Sequence, residues 1–303
     1  MKKSSAKNDA ITLDYDYLSK IRRAVALYTA RKTSNILEGD FHSIFHGRSM
    51  EFEDLKEYAY GDDVHDIDWK SSSRSGKILI RRYEAERKHN VLFIMDTGRK
   101  MDADTMAGED KAHLALMLFG TIAYIASRDS ADFALANSTA EGIELSGFRS
   151  GPGHLEALLY NLKKTITQDP KYSLSELCHR VTDTLSRKTM LFIITDIGGM
   201  ETLDDQILHE ISLNHDLFLF NLQDAFLSQD NTYDTMLGHY VPAFLTGSRR
   251  LREAEKQDRA IIQNRIHESL RRYQGAMMDV IQEERIIDAL ILLLERKRHG
   301  IFG

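Results

Sequence analysis

The chain is poor in several kinds of residue. Among 303 residues there is one cysteine, Cys178, one tryptophan, Trp69, and three prolines, Pro152, Pro170 and Pro242. A single cysteine excludes an intrachain disulfide and any Cys-x-x-Cys metal motif, which suits a reducing cytoplasm. Three prolines exclude a long proline-rich linker. No apolar run approaches the roughly twenty residues that a bilayer-spanning helix requires, and "ALILLLE" (289–295) is typical of the longest. The opening "MKKSSAKNDAITLDYDY" carries lysines without an apolar core, so it does not read as a secretory signal. An excess of positive charge is missing too. The formal net charge is -6, which argues against a general nucleic-acid binder.

What remains is an ordinary globular composition, with 42% hydrophobic and 28% charged residues and enough length for one large domain or two modest ones. Residues 14–35 have the periodicity of a helix, with Leu18, Ile21, Val25 and Tyr28 on one face. Residues 36–76 are rich in Gly, Asp and Ser and lack a clear period, and "KILIRRYEAE" (77–86) starts as a strand. From residue 90 strands and helices alternate. "NVLFIMD", "TMLFIITD" and "DLFLFNL" are short, continuously apolar strands. "ADFALAN" and "GIELSGF" are further strand candidates. Helices are read at 111–127, 154–166, 173–187 and 203–213. Buried strands separated by helices predict a mostly parallel sheet covered on both faces. Beyond residue 222 a polar connection leads to two predicted helices, 250–275 and 278–298.

Two of the apolar strands end in an acid, Asp96 and Asp196, each followed by turn-forming glycine. In an open α/β sheet ligands collect at the carboxyl ends of strands, so the two carboxylates are expected on one rim. Oxygen ligands of this kind suit Mg²⁺ or Mn²⁺. The plain alternative is that each aspartate caps a turn or helix.

"DTGRKM" (96–101) resembles the Asp-x-Ser-x-Ser motif of the metal-ion-dependent adhesion site in von Willebrand factor A domains, and "FIITDIGG" (192–199) resembles the strand that supplies their last aspartate. The block 41–87 resembles the signature of the bacterial domain-of-unknown-function fifty-eight family. Its members place Gly-x-x-x-Glu-Phe, Tyr-x-x-Gly-Asp-Asp and Ile-Asp-Trp-Lys ahead of an A-type domain. Here those positions are Gly47, Glu51, Phe52, Tyr58, Gly61, Asp62, Asp63, Ile67, Asp68, Trp69 and Lys70. The resemblance implies a von Willebrand factor A-like α/β fold. It divides the chain into a signature segment (1–87), an A-like domain (88–222) and a helical segment (223–303). It also implies an adaptor or chaperone-like partner of a MoxR-type AAA+ ATPase acting on a client protein. Since no nucleophile–base pair or credible metal centre emerges from the residues, a non-catalytic protein–protein interaction module in the cytoplasm is expected.

The chain departs from the motif where the two serine hydroxyls should be. Gly98 brings no side-chain ligand and Lys100 is a donor only. The nearest candidate for a further hydroxyl is Ser150, in "RSGPGHLE". Asp96 and Asp196 alone make a poor divalent site, so no metal or other cofactor is expected. Lys100 either neutralises the two acids in place of an ion or points into solvent. The rim to examine is therefore Asp96, Gly98, Lys100, Ser150 and Asp196.

A competing reading takes Asp68-Trp69-Lys70, with Glu51 or Asp54, as half of a metal-dependent hydrolase or nuclease site. Against it, Gly61-Asp62-Asp63 reads as a turn, Trp69 as an anchor on the domain, and Arg74, Arg81, Arg82 and Arg87 as partners for the acids. His42 and His46 lack a third zinc ligand, and Cys178 reads as a buried small hydrophobe.

Overall fold

The computed structural model describes residues 16–31, 52–60, 62–83, 90–226, 233–234, 239–240 and 248–299. Helix α1 is Asp16–Arg31. Strands β1 (Phe52–Glu57) and β2 (Leu79–Tyr83) pair antiparallel, and between them lie a 3₁₀ turn at Val64–Asp66 and helix α2, Trp69–Ser75. The alternating region follows as β3 (Asn90–Met95), α3 (Lys111–Arg128), β4 (Phe133–Ser138), β5 (Ile143–Leu145), α4 (Pro152–Thr165), α5 (Leu174–Thr182), β6 (Thr189–Thr195), α6 (Ile197–Thr202), α7 (Asp205–Asn214) and β7 (Asp216–Leu222). A two-residue pair, β8 (Tyr233–Asp234) and β9 (His239–Tyr240), precedes α8 (Arg249–Arg272), β10 (Ala276–Val280) and α9 (Ile286–His299).

The main sheet has the order β10-β7-β6-β3-β4-β5, parallel except for β5 at one edge. This is the mostly parallel, helix-covered α/β sheet that the sequence pattern calls for. It differs at its far edge. The stretch "AMMDV" is strand β10, paired with β7, and the last helix starts only at Ile286. The strand is only five residues long, and the polar "IQEER" (281–285) that follows it suits a helix as well as a connection, which hides the break. The sheet therefore continues past residue 222, and a domain boundary drawn there cuts through it.

Alternation along β3 feeds two cores. Val91, Phe93 and Met95 face α1, α3, α4 and α9, whereas Leu92 and Ile94 face α5, α6, α7 and α8. Helix α3 is apolar around most of its circumference, as a helix enclosed on several sides must be. It lies between the sheet and α1, α4 and α9. The close fit of α1 depends on Gly120, where a Cβ would stand 2.4 Å from Ile21 Cδ1. Across the strands Phe93, Phe192 and Phe218 are in register and stack, with ring centroids 5.5 Å and 4.8 Å apart. A one-residue slip would turn each strand's apolar set to the wrong face, so this ladder fixes which strand ends meet.

Ile21 is fully buried. Its truncation in Ile21→Ala is expected to cost about 2–4 kcal/mol, the usual range for a large-to-alanine core change. Chemical denaturation followed by circular dichroism checks it. A loss below about 0.5 kcal/mol would mean that α1 does not seal this face.

Candidate functional site: a buried charge chain at the sheet rim

The chain leaves β3 for β4 on one side and returns to β6 on the other. The carboxyl ends of β3 and β6 are therefore a topological switch point, where open α/β sheets hold ligands. Asp96 follows β3 and donates its backbone N–H to Ile194 O at 3.0 Å, which sets it beside Thr195 and Asp196 at the end of β6. The third apolar strand, β7, also delivers an acid, Asp224, two residues past its end. Three neighbouring strands thus present carboxylates at one rim.

Two lysines join them. Lys100 Nζ lies 2.5 Å from Asp96 Oδ2 and 3.3 Å from Asp196 Oδ1. Lys111 Nζ lies 2.8 Å from Asp196 Oδ2 and also pairs with Asp224 Oδ1. The order Asp96–Lys100–Asp196–Lys111–Asp224 alternates in sign. Asp196 and Lys111, at its centre, have side chains 3% and 1% exposed, and Lys100, at 27%, is the most open member. Lys100 reaches its place because Gly98, at φ 126, starts the short 3₁₀ turn Arg99–Asp102 and folds the chain back over Asp96. The backbone N–H of Gly98 is held by Ile166 O at 2.9 Å. Beside it, the exposed Arg99 guanidinium grips both oxygens of Asp169.

The remaining carboxylate valences are filled by neutral donors. Thr195 Oγ1 donates to Asp96 Oδ2 at 2.5 Å, Thr97 N to Asp96 Oδ1 at 2.9 Å, and Gly199 N to Asp196 Oδ1 at 2.9 Å. Thr97 Oγ1 ties the rim to the end of β4 by donating to Ser138 O at 2.6 Å. Asp196 therefore does two jobs at once, capping α6 and holding both ammoniums. Gly199 cannot carry a side chain, because a Cβ would lie 2.0 Å from both Asp96 Oδ2 and Thr195 Oγ1. Arg259 of α8 closes the outer end by donating to the carbonyls of Asp224 and Ala225.

Burial pushes the Asp96 carboxyl upward, against the pull of Lys100. It does the same to Asp224, against Lys111. Burial also opposes ionisation of Asp196, but Lys111, Lys100 and the Gly199 N–H outweigh it and hold that carboxyl at about 2. For both lysines burial works against the charge, and the flanking carboxylates overcome it and raise the ammoniums above the ordinary lysine range.

Of the rim residues named from sequence, Asp96, Gly98, Lys100 and Asp196 come together here. Ser150 does not. Strand β5 runs antiparallel to β4, so the chain returns to the other end of the sheet, where Arg149 pairs with Phe133 at the start of β4. Lys111, Asp224, Thr195 and Thr97 were missed. Lys111 did leave a signal: it is a cation at the first position of an otherwise apolar helix, where the helix dipole favours acids.

In the signature segment, Glu51 and Gly61 lie outside the described residues, as do His42, His46 and Arg87. Asp62 accepts from Ala59 N and Lys56 Nζ, Asp63 from His65 N, and Asp68 caps α2 by accepting from Ser71 N. Asp62 and Asp63 accept from nearby backbone N–H groups as turn acids do, and Lys56 pairs with Asp62 and Lys77 with Glu57. Arg74 has no anionic partner among the described residues, and the side chains of Arg81 and Arg82 lie outside them. Trp69 is 69% exposed, which corrects its reading as an anchor; it begins a short polar helix whose buried residue is Ser72. Tyr58 and Lys70 are also on the surface. Cys178 is fully buried in the core beneath α5. Among the described residues no three His, Cys, Asp or Glu side chains are grouped to hold a metal ion.

Removing the central cation in Lys111→Met leaves two carboxylates facing each other in a buried place, and a loss of about 3–5 kcal/mol is expected by denaturation. Asp196 is depressed, so its ionisation stabilises the fold above the ordinary aspartate range, and that contribution is lost as pH falls through about 2. The stability gap between wild type and Asp196→Asn should accordingly be largest near neutrality and narrow from pH ~4 downward. A gap independent of pH would contradict an ionised Asp196.

Three kinds of similarity bear on this chain. A protein of Mycobacterium bovis named Uncharacterized protein Mb1516 and one of Mycobacterium tuberculosis named Uncharacterized protein Rv1480 are each 24% identical to it over 191 residues. That is 62% of this chain and 59% of theirs, so the match spans about three fifths of the length of these relatives. Among solved structures, BatB from Bacteroides thetaiotaomicron aligns with a TM-score of 0.44 at 10% identity, over 70% of this chain and 99% of that one. An aerotolerance-related membrane protein from Bacteroides fragilis aligns with a TM-score of 0.42 at 12% identity, over 69% and 99%. A von Willebrand factor type A protein from Catenulispora acidiphila aligns with a TM-score of 0.37 at 9% identity, over 70% and 43%. The family model described as "Protein of unknown function DUF58" matches residues 54–227. With more than half of its length matched by that model, the chain belongs to the DUF58 family.

Proposed function

We propose that the chain is a non-catalytic protein–protein recognition module whose rim is a degenerate metal-ion-dependent adhesion site, with lysine in the role of the ion. The observation that carries this reading is the Lys100 ammonium, 2.5 Å from Asp96 and 3.3 Å from Asp196. A divalent ion recruited to these carboxylates would meet that charge. It would also lack the hydroxyls that Gly98 and Lys100 replace, since glycine offers no side-chain donor atom and an ammonium cannot coordinate. The donor set does not fit Mg²⁺ or Mn²⁺, and no step of the proposed activity passes through a metal.

A rim built this way is preorganised. Its charges are held by one another, so a partner meets a fixed pattern without a cation having to bind first. Lys100 and the exposed Arg99–Asp169 pair form its open edge. The partner proposed is a MoxR-type AAA+ ATPase in the cytoplasm, with the chain acting as adaptor to a client protein. Family membership supports this only as analogy, because fold does not fix function. No helix among the described residues is long and apolar enough to cross a membrane.

Isothermal calorimetry with Mg²⁺ and Mn²⁺ tests the central point. The wild type is expected to give no binding heat up to millimolar ion, and Gly98→Ser/Lys100→Ser to gain measurable binding. Tight binding by the unmodified chain would overturn the reading. Affinity capture from the source cells is expected to recover an AAA+ ATPase with wild type and to lose it with Arg99→Glu, which alters the exposed edge and leaves the buried chain of charges intact.

A further inference from the structure

Five of the eleven large hydrophobic side chains exposed among the described residues fall within the short unit formed by β1, α2 and β2: Tyr58, Tyr60, Val64, Trp69 and Ile78. Trp69 is 69% exposed and Tyr60 fully so. Such concentration on a soluble surface marks an interaction site more often than chance. The unit brings several of them close. Tyr58 N donates to Ile78 O at 2.9 Å, placing those residues at the end of the β1–β2 pair from which the connection carrying α2 leaves, and Asp68 N donates to Leu79 O at 2.9 Å, so Trp69 starts α2 one residue from a contact with the same strand.

Helix α2 adds charge of one sign. Lys70 and Arg74 are exposed, lie four residues apart and hence on one side of the helix, and have no anionic partner among the described residues. Lys56 and Lys77 of the same unit are both paired. Lys70 stands in the first turn, where the helix dipole disfavours a cation. Like charges at this spacing repel as well. An exposed tryptophan, a misplaced lysine and an unrelieved cation pair each cost the free protein something, and one occupant relieves all three.

We propose that α2 and the adjoining end of β1–β2 dock an acidic segment of a partner protein that carries an aromatic or aliphatic anchor. The anchor lies against Trp69 and Tyr58, and its flanking carboxylates reach Lys70 and Arg74. Charge selects a discrete segment over a continuous polyanion. Asp62, Asp63 and Asp66 lie in the same unit, and an anionic bilayer or nucleic acid laid over Lys70 and Arg74 would also run over those carboxylates. This surface is separate from the rim above and does not depend on the rim's function.

Trp69 is the sole tryptophan, so its emission in the full chain reports directly on this surface. The probe is a soluble glutamate–tyrosine copolymer, which supplies carboxylates and aromatic anchors together. Saturable blue-shifted emission is expected, weakened about tenfold in Lys70→Ala/Arg74→Ala, the scale of a lost pair of charge-assisted contacts. Those substitutions lie at exposed positions, and circular dichroism verifies the fold. Absence of a shift would overturn the proposal. So would equal binding of plain polyglutamate, or a shift produced only by phosphatidylglycerol vesicles or oligothymidine. A shift with protein concentration alone would assign the surface to a second copy of the chain. Failure of acrylamide to quench Trp69 in the free protein would mean that the chain already covers it. Either result also overturns the proposal.

Discussion

Lys111 can remain charged inside this protein only because two carboxylates enclose it, and that requirement organises the rest of the rim. An ammonium with 1% of its side chain exposed loses most of its hydration, and one partner in such a setting seldom compensates for the loss. Asp196 and Asp224 share it. Asp196 then has a second oxygen to satisfy, and Lys100 supplies the charge while Gly199 supplies a backbone N–H. Lys100 in turn satisfies Asp96. Each member answers a need created by its neighbour, so the five side chains act as a unit and single substitutions should not be additive.

The unit exists only if three strand ends arrive level with one another. The phenylalanine ladder through β3, β6 and β7 sets that register, and the parallel connections place all three carboxyl ends on one side. Gly199 then allows α6 to begin directly against Asp96 and Thr195. Packing in the core, the glycine at one contact and the charges at the rim are links in one sequence of causes. A fault in the ladder would be read at the rim.

Much of this was legible in the residues. Apolar runs of six or seven residues separated by helical periods specify a parallel sheet, and Asp96 and Asp196 stand where such strands stop. Lys100 was visible as a cation at a motif position that ordinarily carries a hydroxyl. Asp224 was hidden because "NLQD" sets a polar Gln223 between the last apolar position and the acid, which looks like the start of a loop. Lys111 was hidden because one lysine at a helix start is usually solvated. Pairing between residues 85 and 113 positions apart in sequence leaves no local trace. Ser150 was misplaced because the short strand β5 reverses the chain, and three residues of alternating character carry little directional information. Trp69 was misplaced by a general truth about tryptophan that a seven-residue helix with one buried serine does not obey.

The same physics bears on function. Under the proposed reading, with a cation built into the chain, recognition at the rim would be independent of metal supply and sensitive instead to substitutions that unbalance the charges. Heteronuclear magnetic resonance of the lysine ammonium groups, recorded while Mn²⁺ is added, tests this most directly. The signals of Lys100 and Lys111 should persist without selective paramagnetic broadening at millimolar Mn²⁺. Selective loss of the Lys100 signal at stoichiometric Mn²⁺ would mean that the ion, and not the lysine, belongs between Asp96 and Asp196.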